Sequence, residues 1–288
     1  MGSWGRALGF VIATAYFSLM DSRLFDGQSL GARLSKIKVL ARTGRPLGIG
    51  ASALRTIIFT LPYCLNGAPI LLDPSITSAT ILLSVVVFGV GLSTIYLFVF
   101  NRSTRQCLHD WAVGAYVVKT EHAQPIVVGS IWRGHFVVIA AIVLAAVLVP
   151  LYVPTLAKQA PFSELIAIQH ALQQVPGVGF ATVNKGTNTF TSFGKGTTTT
   201  DILSVRVFLS KKLTSKDELA NKLAKVVLDT YPSSAQEDRI LISMSYGFDI
   251  GIASQWHTEN VSLSPAEWRN RLGPPVSSDS SAPPTTLE

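Results

Sequence analysis

Apolar runs alternate with short polar loops over the first half of the chain, and beyond about residue 155 the pattern changes. Four runs in the first half read as membrane-crossing helices. Residues 7–20 follow Arg6 and are apolar to Met20; a helix needs roughly 20 residues to cross a bilayer, so this span begins at or before Trp4 and reaches Asp21. A secretory signal would require a small-residue cleavage site and a mature domain behind it, and a basic loop follows instead. Residues 57–72 make a second run, interrupted by Pro62, Asn66, Gly67 and Pro69 and turning back near Asp73-Pro74. The third run, residues 76–100, carries no charge and is long enough to tilt. Residues 136–153 make the fourth, closed by Pro150 and Pro154.

The second half has the periodicities of a folded domain. Phe162, Leu165, Ile166, Ala171 and Leu172 recur at helical spacing. Residues 178–183 predict a short strand, and the Gly/Thr/Ser/Asn/Lys stretch 184–200, with no core-forming pattern, predicts a long hairpin loop. Val205, Val207 and Leu209 alternate as one strand face. Ser215 and Glu218 have the spacing of a capping box ahead of Leu219, Leu223, Val226 and Val227. Ile240, Ile242, Met244 and Tyr246 alternate again, and Gly247 and Gly251 interrupt a hairpin with the run to His257. Ser264-Pro265-Ala266-Glu267 starts a last helix with cap, N1 proline and N3 glutamate. The expected fold class is therefore a membrane all-α part of about four transmembrane helices, residues 1–155, followed by a small α+β domain of order α-β-β-α-β-β-α, residues 156–272. Residues 273–288 read as a disordered tail.

Charge sets the expected topology. Residues 1–155 hold 12 Lys/Arg against 5 Asp/Glu, and residues 156–288 hold 12 of each, so the net charge of +7 belongs to the apolar half. A pI near 9.5 often signals nucleic-acid binding, but these basic residues sit in short loops between apolar runs, as positive-inside topology requires. No nucleic-acid partner is expected. Both basic loops, one holding Arg23, Arg33, Lys36, Lys38, Arg42, Arg45 and Arg55 and the other Arg102, Arg105, Lys119 and Arg133, read as cytoplasmic. Within the first, Gly27 and Gly31 bracket a turn. The implied topology is N-out, four spans, C-out, with the α+β domain extracytoplasmic and Arg6 on the disfavoured side. Lipid headgroups of anionic character are the expected partners of the loops, at on the order of 1 kcal/mol per basic side chain.

Gly27-Gln28-Ser29-Leu30-Gly31, Arg33, Lys38-Val39, Gly44-Arg45-Pro46 and Arg55, followed by Arg105-Gln106, Leu108-His109-Asp110, Ala112, Gly114 and Val117-Val118, form an ordered set across residues 10–119. Taken together, this set resembles the RDD family of bacterial integral membrane proteins. The family is named for an arginine and two aspartates; Asp110 matches the last, while the opening transmembrane helix with its Arg and Asp has no counterpart here. Residues 7–20 align with the family's second span, so the resemblance implies a first helix that is missing. It implies a multi-pass protein of the bacterial inner (plasma) membrane, with transport among the activities suggested for the family.

Candidate chemistry centres on Gly27, Gln28, Gly31, Arg33, Arg55, His109 and Asp110. Asp110 stands beside His109 in an otherwise basic loop, where it either handles a proton or cation or forms a salt bridge to Arg33 or Arg55 that pins one loop to the other. No carboxylate lies deep within a span, which weighs against a complete ion-coupled transporter. No catalytic residue, cofactor, metal ligand or Cys-based metal site is expected: Cys64 lies in an apolar run, Cys107 in a basic loop. Phe193-Gly194-Lys195-Gly196-Thr197 fails the phosphate-loop spacing. The expected function is that of a non-enzymatic membrane tether presenting residues 156–272 to a protein or envelope ligand, with ion or small-solute transport near Asp110 and the loop arginines as the alternative.

Overall fold

A computed structural model describes residues 4–67, 77–121, 129–192, 196–212 and 215–273. Two compact units are present, residues 1–159 together with 247–255, and residues 160–246 together with 256–288.

The first unit is helical. Its elements are α1 (Gly5–Met20), α2 (Leu30–Leu34), β1 (Ile37–Ala41), α3 (Ile49–Leu65), α4 (Thr77–Ser84) and α5 (Gly91–Phe100) joined by a π-helical turn at Val85–Val90, α6 (Leu108–Val113), β2 (Ala115–Lys119) and α7 (Gly134–Ala157). Two helices are long and apolar enough to cross a membrane, Ser78–Phe100 with 23 residues and Gly134–Ala157 with 24. Their large apolar side chains point outward: Phe98 is 77% exposed and Val137 72%, leaving an apolar surface of the kind that marks an interaction face. The expectation of about four spans meets two helices of full length, because α1 and α3 have only 16 and 17 residues. The prolines do not act as the sequence pattern implied. α7 runs through both Pro150 and Pro154, and α3 holds Pro62 in its last turn before stopping at Asn66. In apolar surroundings each remaining intrahelical bond is too costly to give up, so a helix outlasts the one bond a proline removes. The turn expected near Asp73-Pro74 lies outside the described residues.

Close helix packing explains how α1 and α3 meet. α3 buries Ser52, Thr56, Thr60 and Cys64, spaced by four, and α1 buries Ala13; Gly5 and Gly9 of α1 are buried instead beneath the 247–255 segment, where an added Cβ would collide with the Asp249 and Ile250 carbonyl oxygens. Small residues at that spacing let backbones approach. Thr14 Oγ1 lies 3.4 Å from Thr60 Oγ1 across the seam, and Thr56 and Thr60 return their hydroxyls to the carbonyls of Ser52 and Thr56. Arg6 pairs at 2.7 Å with Asp249, part of the 247–255 segment of this same unit.

The two basic loops are not simple solvated coil. β1 and β2 pair antiparallel, from Ile37↔Lys119 to Ala41↔Ala115, and bury Val39, Leu47 and Ala115 together. Gly27 makes the turn that feeds β1: its φ is +71°, a Cβ there would stand 2.3 Å from the Val39 carbonyl oxygen, and its own carbonyl accepts the Val39 N–H at 2.8 Å. Gly31 does not close that turn. It lies inside α2, which Ser29 caps by accepting the Ala32 N–H.

The second unit comprises α8 (Phe162–Gln173), β3 (Val178–Ser192), β4 (Gly196–Leu209), α9 (Lys216–Thr230), a 3-10 turn at Pro232–Gln236, β5 (Arg239–Asp249) and β6 (Ser254–Leu263) apart from residues 247–255 where they meet, which belong to the first unit, and α10 (Pro265–Leu272). The sheet order is β3-β4-β5-β6; β3 and β4 are antiparallel and β4 and β5 parallel, with α9 as the crossover. Ile168 and Leu172 of α8, Leu223 and Val227 of α9 and Trp268 of α10 share one core with Val205, Val207, Ile240, Ile242 and Met244 of the strands. Ser264 and Glu267 complete a reciprocal capping box at α10. Within the expected loop at 184–200, the described residues 184–192 and 196–200 are instead strand: β3 and β4 continue as a polar ribbon with Asn188↔Thr200 and Thr189↔Thr199 opposite one another. Threonine is β-branched and pairs well across strands, so extended structure forms there without a core beneath it. Phe193–Lys195, the centre of the rejected phosphate-loop pattern, and the tail beyond Gly273 lie outside the described residues.

Candidate functional site

Three helix ends converge in the first unit. Asp21 follows the last residue of α1, Arg55 lies two turns into α3, and Asp110 is the third residue of α6. Arg55 bridges the two acids: its Nε donates to Asp110 Oδ1 at 2.8 Å and its Nη1 to Asp21 Oδ2 at 2.6 Å. All three side chains are nearly closed off from solvent, at 14%, 7% and 5% exposure for Arg55, Asp21 and Asp110. A guanidinium has a planar fork that serves two carboxylates at once, which an ammonium does not.

Asp110 has a second task. Its Oδ2 accepts the backbone N–H of Cys107 at 3.2 Å, one half of a capping box in which cysteine stands where serine or threonine is usual. The next turn ends at Gly114, whose φ of +64° closes α6 and releases the chain into β2. Gln106 holds this strand entry by donating to the Ala115 carbonyl at 2.8 Å, and Asn101 braces the loop through Thr104 and the Gln106 carbonyl.

His109 is buried beside this arrangement. Its ring packs edge-on against Phe59 of α3, with centroids 5.2 Å apart. Nδ1 is buried without a partner, and Nε2 stands 3.6 Å from Asp110 Oδ2, beyond hydrogen-bond reach. Burial pushes the imidazole pKa down from its usual 6.5, against the upward pull of Asp110 and with a further push from Arg55. Burial likewise raises the Asp21 carboxyl; Arg55 opposes this and the Asp110 charge adds to it. The Cys107 thiol is pushed up to about 11 by burial first and by Asp110 second. A cavity of about 450 Å3 opens between Asp21, Arg55 and His109 on one side and Ser29, Gly31 and Lys38 on the other.

The residues singled out in the sequence do not all meet here. Residues 2–114 match the RDD family. The motif set runs over residues 10–119, so nearly all of it falls within that match, and the RDD-matching segment carries the Arg55–Asp110 pair directly. Arg33, the other partner considered for Asp110, is exposed on α2 and forms no ion pair among the described residues. Gln28 is structural: its Nε2 donates to the Ile37 carbonyl at 2.9 Å. Gly27 shapes the turn, and Gly31 lines the cavity from α2. Sequence reasoning missed Asp21, although its signal was an acid placed directly behind an apolar run, as Asp110 stands near the head of another RDD element. It also missed Cys107. The ligating atoms of Cys107, His109 and Asp110 all lie within 4.8 Å of one another, brought together by the N-terminal turn of α6. No curated protein and no solved structure matches the chain.

Taken with the two long apolar helices, the RDD match points to a membrane protein.

Proposed function

We propose that the protein is a non-enzymatic, multi-pass tether of the bacterial plasma membrane, in which a helical RDD-type unit presents the C-terminal mixed-sheet unit, outside the cell, to a protein or envelope ligand. The observation that carries this reading is the division of labour between the units. The second unit closes a hydrophobic core of its own around Trp268. In the first, the buried charges are spent on holding helix ends together through Arg55. α1 and α3, too short to cross a bilayer upright, act as two more spans by local thinning and by the close packing of their small residues, so that four crossings carry both basic loops on the cytoplasmic face.

Transport of an ion or small solute past Asp110 is the second reading, favoured by the cavity beside His109. Against it, Asp110 is already committed to Arg55 and to the Cys107 N–H, and Ser78–Phe100 and Gly134–Ala157 contain no Asp, Glu, Lys or Arg. Two experiments separate the readings. A photo-crosslinking residue at exposed Trp256 or Arg206 in living cells captures a discrete partner if the tether reading holds, and yields no adduct at any exposed position of the second unit if it does not. Asp110→Asn leaves ion and solute fluxes in proteoliposomes unchanged under the tether reading; a lost flux makes the protein a transporter.

A further inference from the structure

We propose that Cys107, His109 and Asp110 form a binding site for a zinc-class divalent ion at the N-terminal turn of α6. Sulfur, nitrogen and oxygen ligands from three residues in four positions all approach within 4.8 Å, and all three residues are buried. This mixed set suits a borderline-soft ion that accepts thiolate, imidazole and carboxylate together, and it excludes the hard cations that take oxygen alone.

One further observation, at the buried His109 (6% exposed), points to a ligand. Its Nε2 stands 3.6 Å from Asp110 Oδ2. That separation is too long for a hydrogen bond, yet it is close to the roughly 3.3 Å edge of a tetrahedron whose centre lies 2.0–2.1 Å from nitrogen and oxygen. Arg55 occupies Oδ1 of Asp110, while Oδ2 accepts the Cys107 N–H and keeps its second lone pair on the side of His109. The arginine thereby fixes the carboxylate from behind, as hydrogen-bond partners of metal ligands do. Charge balances as well: Asp21, Asp110 and a Cys107 thiolate set against Arg55 leave two negative charges, which a divalent ion neutralises. Three protein ligands leave a fourth position for water.

Cys107 ligates as the thiolate, so its proton is released to solvent on binding. The test is a Co2+ titration of the purified full-length protein in detergent, followed by absorption. Expected are a thiolate-to-cobalt charge-transfer band and tetrahedral d–d bands that saturate at one ion per chain and are displaced by Zn2+. Cys64→Ser keeps the band and Cys107→Ser removes it. His109→Ala weakens cobalt binding by roughly tenfold or more. A wild-type protein with no charge-transfer band, or a band that survives intact in Cys107→Ser, overturns the site. Because the wild-type and Cys64→Ser readings need no perturbation of α6, misfolding of one variant does not obscure the result.

Discussion

Replacing Arg55 with methionine probes the junction of α1, α3 and α6 most severely. The change keeps much of the side-chain length and removes the charge that two buried carboxylates share, Asp21 at 7% exposure and Asp110 at 5%. Breaking a buried ion pair from one side typically costs about 3–5 kcal/mol, because the remaining charge has lost its compensation; here two charges lose it. For a unit of this size about 2–4 °C of melting temperature accompanies each kcal/mol, so Arg55→Met lowers the apparent Tm by roughly 6–20 °C. The assay is thermal unfolding in detergent at one fixed scan rate, since unfolding of such proteins is commonly irreversible. Adding Asp110→Asn to the Arg55→Met background recovers a large part of the loss by removing one of the two stranded charges. Arg55→Lys falls between, as one ammonium serves two carboxylates poorly. The deficit of Arg55→Met also depends on pH. The Asp21 pKa, already raised by burial, rises further once its opposing cation is gone; a raised folded-state pKa contributes stability at low pH that is lost as pH rises through it, so the variant recovers on acidification. An Arg55→Met protein that melts within about 2 °C of wild type, with no recovery at low pH, would refute the reasoning.

Other outcomes follow from the same geometry. Gly27→Ala destabilises the β1–β2 pair by more than about 1 kcal/mol, since alanine pays for φ of +71° and its Cβ meets the Val39 carbonyl; faster hydrogen exchange at Val39 and Tyr116 reports it. His109 has a pKa held below 6.5, so it adds stability that is present above that value and is lost as pH falls through its folded-state pKa. In melting curves the wild type therefore loses more than His109→Gln does between neutral and mildly acidic pH, whatever Asp21 contributes to both. Trp268→Ala removes a fully buried indole and its hydrogen bond to the Ile240 carbonyl, costing about 3–5 kcal/mol. Near-ultraviolet circular dichroism and protease resistance of the second unit detect that loss.

Much of the second unit was legible because its periodicities coincide with its burial. Val205 and Val207 alternate with exposed or half-buried neighbours and enter the core, and Ser264 with Glu267 marks a helix start that the structure reproduces. The Thr-rich ribbon was not legible, for hydrophobic patterning reports strands that have something to bury and passes over those held by cross-strand pairs alone. In the first unit, runs of apolar residues located the two long helices but misjudged where helices stop at proline. The buried faces of α1 and α3 are written in small residues, Gly5, Gly9 and Ala13 in the one and Ser52, Thr56 and Thr60 in the other, which carry no hydropathic signal. The pairing of Asp110 with Arg55 was one of two arginines the sequence offered. Choosing between them required the positions of α2 and α3, and Asp21 entered only when α1 ended beside them.

The tether reading stands on the C-terminal unit lying outside the cell. The direct test introduces Ser210→Cys at an exposed position, in a Cys64→Ser, Cys107→Ser background, and treats intact spheroplasts with a membrane-impermeant maleimide. The account predicts labelling without lysis. Protection until the membrane is broken would contradict it, placing the unit in the cytoplasm and requiring an odd number of crossings.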